Sequence, residues 1–575
     1  MESERPRNAY RASPGLSRRN FVAGLMAAAG SASAGRLFAS PGDGFPLPRY
    51  RERFENWARE LAFDDLWTCA PRAPQEVADV ANWCATNHYA LRPRGTMHNW
   101  SPLSLASSTS AQTPVILADT VPYLNRMEMD GSFGVPAVRV ETGARMEDLL
   151  AFLETQGCGF TAVPAVGVIT VGGALAIDGH GAAIPALGER RLQGQSYGSL
   201  SNRVLSLTAV VWNANQSRYV VKRFLRSDPQ IAALLVHAGR AFITEVTLAV
   251  EPNYNLRCRS YVTIPASELF APPGNGARDI TSFLDASGRI EAIWYPFTDN
   301  PWLKVWTVSP QKPPLARPVT RPYNYPFSDQ LPQPVVDLAQ RLVTGYPQGA
   351  PEFGAAVYAA TAAGLAGTAS TDLWGASKNT LLFIRPTTLR ITELSYVVLT
   401  RRDRVQQVIS DFAARYSELL AAYRAQDRYP VNMPVEIRVS GLDRATDVGV
   451  TGARAPLISA IAPRPDHPEW DTAVWLSILT LPGTPDHCAF FREMERWIIA
   501  RYSGSSACAR PEWSKGWAYS NDAAWSDPEI LGQFIPQSHR AGKPANGGWD
   551  TAVRQLRALD GGNIYRNDFH AALGM

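Results

Sequence analysis

The chain has 575 residues, 45% hydrophobic and 19% charged, which is more length and apolar material than a single core usually supports. Its 56 basic and 52 acidic residues leave a formal net charge of +4, too balanced for the basic stripe of a nucleic-acid binder. Six scattered cysteines, with no Cys-x-x-Cys spacing and no neighbouring pair of histidines, argue against a metal centre and for thiols with at most one late disulfide.

In chain order, Ser17-Arg18-Arg19-Asn20-Phe21-Val22 comes first, followed by a run of small and apolar residues from Ala23 to Ala34. That is the pattern of a twin-arginine export signal. The run is shorter than the roughly 20 apolar residues of a membrane span, so cleavage before about Ser40 and a periplasmic or secreted product are expected. After a joint rich in Pro and Gly, the helical spacing of Val77, Val80, Ala81 and Cys84 predicts a helix over residues 76–87. Strands are expected at residues 89–92, 115–118, 137–140, 205–212 and 244–250. From Tyr261 the chain changes character, with apolar strands expected at residues 290–295, 303–308, 381–384, 396–399 and 435–439 and a helix at 403–423. Residues 313–334, rich in Pro and aromatics, read as loops around a surface or a mouth.

Two glycine-bearing segments in the first half carry the strongest chemical signal. Leu91-Arg92-Pro93-Arg94-Gly95-Thr96-Met97-His98-Asn99-Trp100 runs from a strand into a tight turn whose backbone N–H groups form a nest for phosphate oxygens. Gly167-Val168-Ile169-Thr170-Val171-Gly172-Gly173, continuing to Asp178-Gly179-His180-Gly181, lets a flat ring or diphosphate approach the main chain. Neither segment fits the Rossmann fingerprint, and no Walker motif is present. In the second half, strand alternation puts Glu436 and Arg438 on one face, while Glu291 shares its face with Ile293 and Tyr295. A carboxyl buried on such an apolar face would have a raised pKa and could serve in proton transfer.

In their order and spacing the two glycine segments resemble the FAD domain of the vanillyl-alcohol oxidase (PCMH-type) flavoprotein family. Phe224-Leu225-Arg226, the stretch from Gly239 to Val246, Pro511-Glu512-Trp513-Ser514-Lys515-Gly516-Trp517 and Asn563-Ile564-Tyr565-Arg566-Asn567 extend the resemblance over nearly the whole chain after the leader. The resemblance implies an α+β, two-domain PCMH-type FAD-binding fold with a large mixed α/β substrate domain. An FAD domain over residues 44–251 would follow a leader of residues 1–43, a substrate domain would span 252–530, and 531–575 would return to the first domain. It further implies FAD bound covalently through His98, with Arg94, Gly95, Thr96, Met97 and Asn99 of the first loop, Gly167, Thr170, Gly172, Gly173, Gly179 and His180 of the second, and Ile243 around it. His180 either shapes the second loop or simply packs.

Glu291 and the Glu436-x-Arg438 strand narrow the resemblance to the covalent-flavin (type II) cholesterol oxidases. That implies a sterol substrate and dioxygen as small-molecule partners, with room for transient contact with membrane surfaces. Glu291 would be an acid/base residue, and Glu436 with Arg438 a paired switch near the flavin. Which glutamate removes the hydroxyl proton and which moves the ring double bond stays open. Alditol and aldonolactone oxidases share a Glu-x-Arg strand and a covalent His but usually carry a late His-Trp-Gly-Lys, where this chain has Glu512-Trp513-Ser514-Lys515. From a different enzyme class, Gly194-Gln195-Ser196-Tyr197-Gly198 matches the serine-esterase pattern, with His539 or His570 as a base, but the charged stretch before it is no strand. A lipid carrier without flavin would leave both glycine loops and His98 without a purpose.

Overall fold

The computed structural model describes residues 44–575 except 193 and 330, so the export signal lies outside the described residues. Pro74, which lacks an N–H to satisfy, opens the helix Pro74–Asn87. Its face of Val77, Ala78, Val80, Ala81 and Cys84 is buried, and it stops at His88, whose left-handed backbone lets its N–H bond Cys84 O. It packs beside a four-stranded sheet in the order Arg49–Glu55, Ala62–Cys69, Val115–Asp119, Ala90–Arg94. A five-stranded antiparallel sheet follows, in the order Met127–Asp130, Ala137–Glu141, Phe242–Ala249, Val204–Asn213, Arg218–Leu225.

The second half is built on a nine-stranded sheet. Its central strands run Asn255–Tyr261, Trp302–Val308, Arg289–Trp294, Val435–Ser440, Thr472–Thr480, Thr392–Thr400, and Ala507–Pro511 forms one edge. These central strands are antiparallel neighbours, so cross-strand partners share a face over several strands in succession. The helix expected at 403–423 forms as Val405–Arg424. Thr472–Thr480, buried at every residue, is an interior strand between Val435–Ser440 and Thr392–Thr400, and the sequence expectations do not include it.

Two expectations are corrected. Residues 381–384 form no strand: Ser377–Leu381 is a short helix, and Ile384 makes only a single parallel bridge to Val166. The apolar run is there because it walls a cavity, not because it pairs. No late disulfide forms either, since all six thiols are free.

The chain end is tied to the first half through a buried carboxylate. Asp560 accepts hydrogen bonds from Tyr219 Oη at 2.5 Å and Arg240 Nη1 at 2.9 Å, and Leu91 N donates to Ile564 O at 2.8 Å. Among the described residues no helix is long and apolar enough to cross a membrane.

Candidate active site

The first glycine loop leaves the Ala90–Arg94 strand and turns through Met97, whose φ is 58°. The Arg94 guanidinium is ion-paired with Glu52 at 3.1 Å and Asp119 at 2.5 Å, so Arg94 props the loop and offers no unpaired charge to a ligand. Gly95 is required by proximity, since a Cβ there would sit 2.5 Å from Thr170 Oγ1. Thr170 in turn caps the short helix Val171–Ala176 by accepting from Gly173 N at 3.2 Å. A Cβ on Gly172 would lie 2.9 Å from Thr142 Cβ. The two loops therefore meet edge to edge.

Between them lies a cavity lined by Thr96, Met97, His98, Asn99, Thr170, Gly172, Gly173 and Ile243 among others. Gly167 does not reach it. Its carbonyl accepts from Glu147 N at 2.8 Å and its Cα packs on the Glu147 side chain, so it serves the loop base. Thr142 and His237 also line the cavity and went unread in the sequence, because nothing in their local pattern marks them, and Gly239, which opens the stretch that extends the resemblance, lines it as well. His237 is buried, its Nδ1 has no hydrogen-bond partner, and burial, reinforced by Arg92, pushes its pKa down to about 3. A buried neutral imidazole with an unmet nitrogen, hydroxyls and glycine main chain together fit a dinucleotide such as FAD, its anionic diphosphate received by main-chain N–H groups and hydroxyls.

A second cavity adjoins the first, and His98, Ile169, Ile177 and Ser514 line both. The His98 ring lies 4.2 Å from that of Trp57 and 5.5 Å from that of Trp100. Burial, then Lys515 and Arg390, pushes its pKa down to about 3, so it is a neutral imidazole at ordinary pH. Gly179 and His180 face this second cavity and not the first. His180 stacks on Trp475 at 3.5 Å with its Nε2 3.6 Å from Glu512 Oε1.

Residues from several neighbouring strands of the nine-stranded sheet line the second cavity. One cross-strand row reads Ser395, Ser477, Glu436, Ile293, Trp302, and the next reads Trp475, Arg438, Glu291, Lys304. Along the first row the wall changes from polar to apolar within a few strand spacings of about 4.8 Å. Glu436, Arg438, Glu512, Lys515 and Glu393 gather at the end near His98, while Tyr295, Trp302, Leu331, Phe353 and Val357 supply apolar wall.

The charged end is a connected network. Arg438 Nη2 is 3.7 Å from Glu512 Oε2 and 4.0 Å from Glu436 Oε2, and donates to Ser477 Oγ at 3.2 Å. Glu512 also accepts from Ser395 at 2.6 Å and Ser514 at 3.2 Å, while Lys515 Nζ donates to Glu393 Oε2 at 2.7 Å. Burial alone would raise the Glu512 pKa, yet His180, Arg438 and Lys515 hold it well below the usual carboxylate range. Glu436 goes the other way. Burial, with Glu291 and Glu393 nearby and Arg438 only partly opposing, pushes it up to about 7.

Glu291, Glu436 and Arg438 thus line one cavity. Glu291 is not the lone carboxyl on an apolar face that its own strand suggested: Lys304 on the neighbouring strand lies 3.5 Å from it. Glu393, Glu512 and Lys515 were not read as site residues. The signal for them was faint, a Glu and a Lys three apart in a Trp-rich stretch and a Glu at the start of an apolar strand.

Ser196 shows no esterase geometry. Its Oγ accepts from Gly198 N at 3.2 Å and Asn202 Nδ2 at 3.3 Å. His539 is stacked against Trp513 and Trp549, and His570 Nε2 bonds Ala238 O at 2.7 Å.

Comparison with known proteins agrees with this division. A model described as an FAD binding domain matches residues 67–215, and one described as cholesterol oxidase, substrate-binding, matches residues 255–574. A solvent-stable cholesterol oxidase of known structure is 53% identical with a TM-score of 0.91, covering 93% of this chain and 100% of that one. The crystal structure of cholesterol oxidase from Brevibacterium sterolicum is 44% identical with a TM-score of 0.91, covering 94% and 100%. A His-to-Ala mutant of that enzyme is likewise 44% identical, with a TM-score of 0.90 over 93% and 99%. Berberine bridge enzyme from Eschscholzia californica, 12% identical with a TM-score of 0.50 over 87% and 88%, shares the fold alone. No curated protein sequence matches the chain.

Proposed function

Because the chain belongs to the cholesterol oxidase family of FAD-binding oxidoreductases, we propose that it oxidises the 3β-hydroxyl of sterols to the conjugated 4-en-3-one with its flavin held covalently on His98. The observation that carries the substrate class is the polarity gradient across the sheet, charged beside His98 and apolar toward Trp302, Phe353 and Val357. A rigid ring system with one hydroxyl matches that gradient. Burying several hundred Å² of sterol surface at about 25 cal/mol per Å² yields several kcal/mol even after association costs. A polyol gains almost none of this and leaves the apolar wall facing polar groups.

Thr96, Asn99, Thr170, Gly172 and Gly173 would hold FAD between the two loops, where it would supply the two-electron oxidation of the carbinol, with dioxygen as the final acceptor and hydrogen peroxide as the by-product. The chain's own residues do the rest. Glu436, with its pKa near 7, takes the hydroxyl proton, and Arg438 stands beside it to balance the negative charge that appears. Glu291 lies one strand further along the cavity, about 4.8 Å in sheet spacing. That offset suits a carboxylate that removes the proton between carbonyl and double bond and returns it to the far end of the alkene. Attachment at His98 is supported by its neutral imidazole, whose lone pair is available for bonding where the two cavities meet. Export rests on the twin-arginine pattern at Arg18 and Arg19, and transient contact with membrane surfaces on where sterols reside.

Purified protein incubated in air with a 5-ene-3β-hydroxysteroid is expected to release hydrogen peroxide and conjugated ketone in equal amounts, read by a peroxide assay and product chromatography. Peroxide with only unconjugated ketone would remove the proposed role of Glu291. No peroxide at all would remove the sterol reading.

A further inference from the structure

The sheet buries a lysine that none of these steps uses. Lys304 stands at the centre of the Trp302–Val308 strand with a fully buried side chain. Its ammonium faces the rings of Phe383, Trp306, Tyr325 and Trp302, at 2.8, 4.8, 5.0 and 5.4 Å from their centroids. Nζ has no hydrogen-bond partner among the described residues, and Glu291 Oε2 lies 3.5 Å away. Phe383 and Tyr325 also line the substrate cavity, so the lysine sits behind its wall, while Glu291 is on the wall itself.

For stability alone this is a poor arrangement. Burying an ammonium costs several kcal/mol, and ring faces return only about 2 kcal/mol. A methionine of similar length would fill the space without that penalty. Burial accordingly lowers the Lys304 pKa, with Glu291 as the main opposing influence.

Of the other groups facing the lysine, Cys258 and Tyr325 bring no charge. From Asn255–Tyr261, Cys258 is pushed up to about 11 by burial, and Tyr325, whose Oη lies 3.6 Å from Cys258 Sγ, is raised well above its ordinary value, again by burial first. From Val435–Ser440 come Glu436 and Arg438, and beyond them stand Glu393, Glu512, Lys515 and His180. In this set Lys304, Arg438 and Lys515 face four carboxylates. These three cations leave one carboxylate over, and the carboxyl whose proton affinity burial raises is Glu436.

We propose that Lys304 is a positioning residue that acts through Glu291: its ammonium behind the cavity wall engages the Glu291 carboxyl from the side away from Arg438 and so leaves Arg438 to Glu436, the group that carries the exchangeable proton. Without Lys304, Glu291 turns to Arg438 in competition with Glu436, and the titration of Glu436 moves to higher pH.

The inference rests on the sterol reading only for its kinetic readout. In the flavin-loaded protein, Lys304→Met is expected to shift the acid limb of kcat/KM for a 3β-hydroxysteroid upward by about one pH unit, with some loss of thermal stability because buried Glu291 loses its partner. In a Glu291→Gln background the same substitution should shift nothing further, and Lys304→Arg, which keeps the charge, should keep the wild-type limb. Infrared difference spectra of the carboxylic acid band against pH report the same titration without turnover, which separates failure of this inference from failure of the sterol reading. The proposal is overturned by a Lys304→Met limb and carboxyl band that superpose on the wild type, by an equal shift in the Glu291→Gln background, or by a shift in Lys304→Arg.

Discussion

Glu436→Gln should lower kcat/KM for a 3β-hydroxysteroid by about two to four orders of magnitude while the protein still folds and binds FAD. The residue lines the cavity beside Arg438, and burial pushes its pKa from 4.5 up to about 7, where a carboxylate both accepts and releases a proton readily. Wild-type activity should rise with pH through about 7 as the base form appears, and the glutamine variant should lose that limb.

Stability should respond in the opposite sense. Between about 4.5 and 7 the folded protein holds a proton on Glu436 that the unfolded chain has released, so stability falls as pH rises through that window. Glutamine removes this slope, and the variant should be no less stable than wild type at neutral pH. Thermal melts across the same pH range, read beside the kinetics, check both halves. Parallel loss of stability and activity, with normal kinetics in the surviving folded fraction, would instead make Glu436 and Arg438 a structural ion pair.

His98→Ala should convert a bound chromophore that survives denaturation into one that washes away. The His98 imidazole is held neutral between Trp57 and Trp100 at the junction of the two cavities, so no proton blocks its lone pair. Acid-precipitated wild-type protein should stay yellow, and its tryptic peptide around His98 should carry the flavin mass. The alanine variant should keep the loops that bind FAD reversibly, because Gly95, Thr170 and Gly172 meet without His98. Complete release of FAD from denatured wild type would end the covalent assignment and leave the FAD site standing.

How much of this was legible from the sequence follows from what periodicity can and cannot report. Alternation along 435–439 placed Glu436 and Arg438 on one face, and alternation along 290–295 did the same for Glu291, Ile293 and Tyr295; all five line the cavity. Alternation says nothing about the neighbouring strand, so Lys304, opposite Glu291 in register, went unseen although it stands on one face with Trp302 and Trp306. Glu393, Glu512 and Lys515 come together through pairings between distant segments, which no local pattern encodes. Glycine content singled out Gly167 with Gly172 and Gly173, but it cannot separate a glycine packed on Glu147 from glycines facing a cavity. The Thr472–Thr480 strand is buried on both faces, so it has no alternation to read. Residues 381–384 show the converse, an apolar run that lines a cavity and pairs with almost nothing.

The central claim is that the polarity gradient across the nine-stranded sheet selects a rigid apolar substrate with one hydroxyl. The ratio of kcat/KM for cholesterol to that for xylitol or sorbitol, measured on one preparation in air-saturated buffer, tests it most directly. The apolar wall of Tyr295, Trp302, Phe353 and Val357 predicts a ratio of several orders of magnitude in favour of the sterol. A ratio below one would contradict it.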